Sequence, residues 1–271
     1  MAKDKVLKPK RAYGFVDEAG NWIIPPQFDD AEDFEDGIAR VEIKEKYGFI
    51  KDDGTFLVKP MFESTGEFRN GKCKVEIDGK YGFIKPDGTY LFEPVFDAVY
   101  GFSDEIASVV KEGKFGFIRS DGKVLFEPIF DRLFTDFNDG ISVVGKEDRQ
   151  LVIKNDGTYL IDQAFDKVWY FPENGILKVE LDGKYGYLKT DGNYLFEPQF
   201  DDLGNFNDGL AYVKKGRKYG FVRLDGTYLI EPKYDNVEEF EDGYAWVKLK
   251  GKQGFIDTSG SWHDELPDSE E

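Results

Sequence analysis

The sequence predicts an all-β protein built from tandem repeats of about 34 residues. Three observations predict it. Tyr-Gly-Phe or a variant recurs around Gly14, Gly48, Gly82, Gly116, Leu151, Gly186, Gly220 and Gly254, in steps of 34, 34, 34, 35, 35, 34 and 34 residues. Such a period marks one supersecondary unit copied along a chain. Each copy is cut by Gly-containing turns into short runs rich in Val, Ile, Tyr and Phe, which is the composition of strands. Helical periodicity is absent throughout.

The stretch from Gly209 to Gly243 shows the elements in order. Leu210-Ala211-Tyr212-Val213 is strand A, ended by the turn at Lys214-Lys215-Gly216-Arg217-Lys218. Tyr219-Gly220-Phe221-Val222 is strand B. Asp225-Gly226 then signals a type I′ hairpin, whose two central residues need positive φ. Strand C is Thr227-Tyr228-Leu229-Ile230, closed by Glu231-Pro232. Tyr234-Asp235-Asn236-Val237 is a weaker strand D, leading to the loop Phe240-Glu241-Asp242-Gly243.

Equivalent positions carry physical information. All eight B–C turns hold a glycine, Gly88 among them, which predicts a left-handed backbone there. Strand A places Val at 41, 75, 109, 144, 179, 213 and 247. Two residues earlier stand Ala39, Cys73, Ala107, Ser142, Ala211 and Ala245, with Leu177 the exception. A small residue alternating with Val on one face predicts a crowded contact between neighbouring units. Proline follows strand C at 26, 60, 94, 128, 198 and 232, with Gln163 the departure; it is expected to end the strand and blunt its edge. Trp22 and Trp262 fall at a strand-C position expected to be core or semi-core.

Strands B and C carry apolar residues on both faces, so each sheet needs a neighbour on each side. A β-propeller of about seven short blades supplies that environment. An open β-solenoid of stacked antiparallel meanders is the alternative. The chain divides into an N-terminal segment over 1–12, one repeat domain over 13–262 (seven full units and a terminal hairpin), and an acidic tail over 263–271, expected to be disordered.

The pattern Gly-Leu-Ala-Tyr-Val, Lys-Tyr-Gly-Phe-Val, Asp-Gly, Glu-Pro, Tyr-Asp and Phe-Glu-Asp-Gly, read from Gly209 to Gly243, resembles the bacterial WG repeat. The likeness extends over about nine-tenths of the chain. No Trp-Gly pair occurs; Tyr13, Tyr47, Tyr81, Phe115, Gln150, Tyr185, Tyr219 and Gln253 hold the naming position. The resemblance implies a bacterial all-β repeat protein of poorly defined function, with no catalytic residues to carry over.

Composition bounds the function. The net charge is −18, from 36 basic and 54 acidic residues. That argues against nucleic acid and anionic membranes, and suits a basic partner. No apolar run approaches the length of a membrane span, and Met1 to Val6 lacks the apolar core of a signal peptide. A cytoplasmic location is expected, although a processed secreted chain would share these features. The single cysteine, Cys73, permits no intrachain disulfide and no cysteine metal cluster. It reads as a buried structural thiol. His263 is the only histidine, too little for a catalytic constellation. Paired carboxylates such as Asp29-Asp30 and Asp52-Asp53 recur at turns and read as turn chemistry; the Asp-Gly turns lack the spacing of a calcium loop. No catalytic residue, cofactor or metal is predicted.

The clearest local signal is irregularity. Both 35-residue steps place their extra residue between Phe-Asp and the loop glycine, in 130–137 and 165–172. Adjacent units that vary at one place fit a binding face, and neutral drift at a tolerant loop explains the same facts. The candidate surface is Phe134, Trp169, Tyr170 and Phe171, with Trp246 as an aromatic on strand A. The leading expectation is a non-enzymatic scaffold for a protein or peptide. The alternative is a carbohydrate or cell-envelope binding module stacking sugars on exposed aromatics. Strand polarity further predicts a lysine-rich A–B end and an acidic B–C end for each unit.

Overall fold

The computed structural model describes residues 5–7, 12–103, 105–171 and 174–266. Residues 267–271 of the predicted tail (263–271), most of the N-terminal segment and Pro172 lie outside the described residues. Among the described residues are eight small antiparallel sheets and no α-helix. The all-β tandem-repeat class predicted from the period is the fold observed.

A regular sheet has strand order D-A-B-C. In the third sheet these are Ser64–Thr65, Cys73–Ile77, Lys80–Ile84 and Tyr90–Phe96. Strand D pairs with the strand A that follows it, Ser64 with Glu76 and Thr65 with Val75. The chain therefore leaves strand C of one sheet, turns at a single residue such as Glu63, and enters strand D of the next. Every 34-residue copy is thus shared between two sheets. The first sheet has three strands, Lys5–Leu7, Tyr13–Val16 and Trp22–Phe28, and the eighth closes on the two-residue strand Trp262–His263.

The chain forms two compact units, Met1–Ile129 and Phe130–Glu271. Inside each, successive sheets pack face to face. In the N-terminal unit Phe15, Phe28, Ala39, Val41 and Ile50 fill the space between the first and second sheets. Phe49, Phe62, Cys73, Val75 and Ile84 do the same between the second and third. In the C-terminal unit Ile176, Tyr187, Phe200, Leu203, Ala211, Val213 and Val222 join the sixth sheet to the seventh. The small-and-Val alternation of strand A is buried as expected: Ala107 and Val109 are both 0% exposed. Each fully buried Phe or Val contributes about 1.5–3 kcal/mol relative to exposure.

Two local expectations are corrected. Strand C does not stop at its proline; it runs through it, as in Tyr228–Tyr234. The register shifts between Tyr219–Tyr234 and Phe221–Ile230, so the Glu-Pro pair forms a bulge over strand B, a position proline tolerates. The type I′ turns are also elsewhere. Asp78 and Gly79 in an A–B turn have φ of 51° and 69°, whereas in the B–C turn only Gly226 is left-handed, at 85°. The B–C turn is a three-residue loop with a glycine bulge. In it Asp225 accepts hydrogen bonds from the Thr227 amide at 2.8 Å and hydroxyl at 2.6 Å. Trp22, expected near the core, is 44% exposed, whereas Trp262, at the same position of the eighth sheet, packs against the core as expected.

A–B turns and C–D corners share one end of each sheet, and B–C and D–A turns share the other, as the Asp52 amide bonding Gly37 O at 3.2 Å shows. The lysine-rich end is offset by corner carboxylates. Glu63 accepts from Lys46 Nζ of the preceding sheet at 3.1 Å and from the Gly79 amide of the following turn at 3.2 Å. Asp97 does the same with Lys80 and the Glu112 amide, Asp201 with Lys184 and Gly216, and Asp235 with Lys218 and Lys250. These bonds hold Glu63, Asp97, Asp201 and Asp235 below the usual carboxylate pKa, the lysine bond first in each case.

Candidate functional site

The two irregular segments solve their extra residue differently. In the fifth sheet it forms a bulge: the Phe134 and Thr135 amides both donate to Val143 O, at 3.0 and 3.3 Å, and Thr135 Oγ1 accepts from the Val143 amide at 2.9 Å. In the sixth sheet it lengthens strand D to Lys167–Phe171, paired along Ile176–Leu181.

Alternation along that strand decides where its aromatics go. Trp169 pairs with Lys178, and both face the seventh sheet, where Lys178 Nζ donates to Leu203 O at 2.6 Å. Tyr170 faces the fifth sheet, packing with Leu177 and Val179 and donating its hydroxyl to Asp139 at 2.7 Å. The predicted surface is therefore divided. Phe134 is 46% and Trp169 37% exposed. Trp169 lies 6.3 Å from the Tyr185 ring, with Lys178 and Lys167 Nζ at 5.6 and 5.8 Å from its own. Trp246 sits apart, half-buried on strand A of the eighth sheet opposite Phe255.

Phe171 leads to a site the sequence reading missed. It lines a cleft of about 870 Å³ formed by the D–A loops of the sixth, seventh and eighth sheets, all in the C-terminal unit. Phe206 and Phe240 supply further aromatic wall, and Tyr187 and Ile176 its floor. Tyr187 stands where six other repeats carry Phe and the fifth carries Val152. It is buried, donates its hydroxyl to Gly204 O, and has its pKa raised, chiefly by burial.

Among its described lining residues the cleft has five carboxylates, Asp208, Glu238, Glu239, Glu241 and Asp242, and no lysine or arginine. Two brace its loops. Glu239 accepts from the Asn205 amide and Asn207 Nδ2, both at 3.1 Å, and Asp208 accepts from the Gly243 amide at 2.8 Å. Lys178 feels the charge of Asp202 and Glu239, but its Nζ is committed to Leu203 and burial lowers its pKa. In the N-terminal unit the corresponding groove, about 720 Å³, includes Arg40, Arg69, Lys72 and Lys74 beside Glu32 and Glu67. A further groove of the N-terminal unit, about 510 Å³, carries Glu32, Asp33, Glu35, Asp36 and Glu67 around Arg40; the C-terminal cleft differs in having no cation among its described lining residues. Its sequence signal is two D–A segments, 202–209 and 236–243, that contain Asp, Glu and Asn but no cation.

No curated protein matches the chain. Solved structures similar to it include Kluyveromyces lactis Hsv2p, at 12% identity over 84% of this chain and 92% of that one, with a TM-score of 0.29. A eukaryotic initiation factor is similar at 14% identity over 96% and 82%, with a TM-score of 0.36. PorZ, a surface component of the type-IX secretion system of Porphyromonas gingivalis, is similar at 13% identity over 95% and 44%, with a TM-score of 0.28. Such low scores carry no weight for the arrangement of the repeats or for function. The WG containing repeat matches seven times, at residues 13–47, 47–81, 81–115, 115–149, 152–185, 185–219 and 219–252. The fifth match begins just past Gln150-Leu151, where Tyr-Gly is lost. With nearly the whole repeat region matched, the chain belongs to the WG-repeat family.

Proposed function

We propose that the protein is a non-enzymatic scaffold that binds a basic peptide segment of a partner protein in the C-terminal cleft. The supporting observation is the cleft's lining: five carboxylates, three phenylalanines and no cation. Carboxylates there attract Lys or Arg side chains, and the rings accept their aliphatic stems or guanidinium planes. Charge also steers encounter, so association is fastest at low salt. Calorimetric titration with an Arg-Lys-rich peptide and with its Asp-Glu counterpart tests the reading. The basic peptide binds and the acidic one does not; equal binding of both overturns it.

Carbohydrate binding is the weaker reading. It rests on Trp169 and Phe134, but a stacking platform needs an open ring face, and two lysines lie over Trp169.

A further inference from the structure

The residue between the strand-C proline and the following aromatic is exposed in six of the seven repeats. It is Gln27, Met61, Val95, Ile129, Ala164, Gln199 and Lys233 in chain order; Ala164 is the half-buried one. The fold thus accepts Gln, Ala or Lys there, yet three successive repeats of the N-terminal unit carry a large apolar side chain. Met61, Val95 and Ile129 are 45%, 41% and 40% exposed. Met61 and Val95 hold the same register, each preceding the aromatic that pairs with the tyrosine of strand B, Phe62 with Tyr47 and Phe96 with Tyr81. By repeat equivalence the three side chains recur in a row along the strand-C edges of the second, third and fourth sheets.

Two residues before each lies an exposed charge: Lys59, Glu93 and Glu127. None of the three makes an ion pair among the described residues. The row therefore has a cation at one end and a carboxylate at the other.

We propose that this row is the contact surface for a second copy of the chain, joined by a two-fold axis through Val95. Antiparallel apposition sets Met61 against the partner's Ile129 and Val95 against the partner's Val95. It also sets Lys59 beside the partner's Glu127, twice by symmetry. An isologous contact needs this self-complementarity. Glu93 falls near its own copy at the axis, and that repulsion limits affinity. The row is smaller than the roughly 800 Å² per partner of a stable complex, so the dimer is expected to be weak.

Sedimentation equilibrium of the full chain, from about 10 µM to about 1 mM, tests this. A monomer–dimer equilibrium is expected. Val95→Asp should weaken it by roughly 10-fold or more, while Gln199→Asp, at the same position in the C-terminal unit, should not. Lys59→Glu and Glu127→Lys should each weaken the dimer, and the double variant should restore it, because the swap rebuilds both pairs. Each site is exposed, so unchanged circular dichroism and melting report an intact fold. A strictly monomeric chain, or a dimer indifferent to Val95→Asp, overturns the proposal; so does a double variant no better than the singles.

Discussion

Gly82 lies directly under the bulge that carries Pro94. A Cβ built on Gly82 would stand 2.5 Å from Phe92 O and 2.6 Å from Pro94 N. The obstacle is backbone on both sides, so no side-chain rotation relieves it. The glycine of the repeated Tyr-Gly-Phe and the proline of Glu-Pro are two halves of one contact, repeated at Gly14, Gly48, Gly116, Gly186 and Gly220. The fifth sheet shows the converse. Leu151 replaces the glycine, Gln163 the proline, and no strand C forms; only the bridges Gln150–Phe165 and Ile153–Tyr159 remain.

Gly82→Ala should therefore destabilise the protein by about 2–3 kcal/mol through overpacking. Gly88→Val should cost about 1–3 kcal/mol for a different reason, a β-branched residue at left-handed φ. Gly88 has φ of 84°, and its Cβ would approach Leu57 O at 2.9 Å. Denaturant midpoints of both variants check this; a parent-like midpoint for Gly82→Ala would separate the glycine from the bulge.

How much of this was legible in the sequence follows from which contacts are local. The 34-residue period, the strand content, the buried Val column and the left-handed Gly88 depend on residues close in sequence or on the repeat itself, and all were readable. The path of strand C through Pro94 was not, because a proline reads locally as a strand end. Its tolerance comes from a glycine twelve residues earlier. The pairing of each strand D with the next sheet was equally hidden, since the two-residue strands carry little pattern of their own. At the site, irregular spacing marked segments of the fifth and sixth sheets, and of the residues it singled out only Phe171 lines the cleft. It could not separate Trp169 from Tyr170, which alternation sends to opposite faces. The acidic cleft was missed because its carboxylates come from two loops 34 residues apart that each resemble ordinary turn chemistry.

Stability should fall on acidification. Glu63, Asp97, Asp201 and Asp235 have folded pKa values lowered by their lysine and amide bonds. A lowered folded pKa gives stability that is present above the unfolded value, about 4, and is lost as pH falls through the folded value. Melting temperature should be level between about pH 7 and pH 5 and drop below about pH 4. Asp97→Asn with Asp201→Asn should melt lower at neutral pH and fall less steeply in acid. An unchanged pH profile in that variant would remove the corner carboxylates from the account.

Cys73 should be inert in the native protein. Its thiol is buried, lies 3.2 Å from Gly66 O, and burial pushes its pKa up to about 12. At pH 8 the thiolate fraction is then about 10⁻⁴. A thiol reagent should label Cys73 only after denaturant is added. Rapid stoichiometric labelling without denaturant would show that this part of the core opens. Cys73→Ala should be well tolerated, since Ala39, Ala107, Ala211 and Ala245 fill the equivalent place.

The most direct measurement of the proposed function is calorimetric titration of an Arg-Lys-rich peptide into the full chain and into a variant with a neutralised cleft. Glu238→Gln, Glu241→Gln and Asp242→Asn together remove three charges while sparing Glu239 and Asp208, which brace the loops. The account predicts that the parent binds, that affinity weakens as salt rises, and that the variant loses at least about 10-fold in affinity with melting unchanged. Equal binding by parent and variant would contradict it.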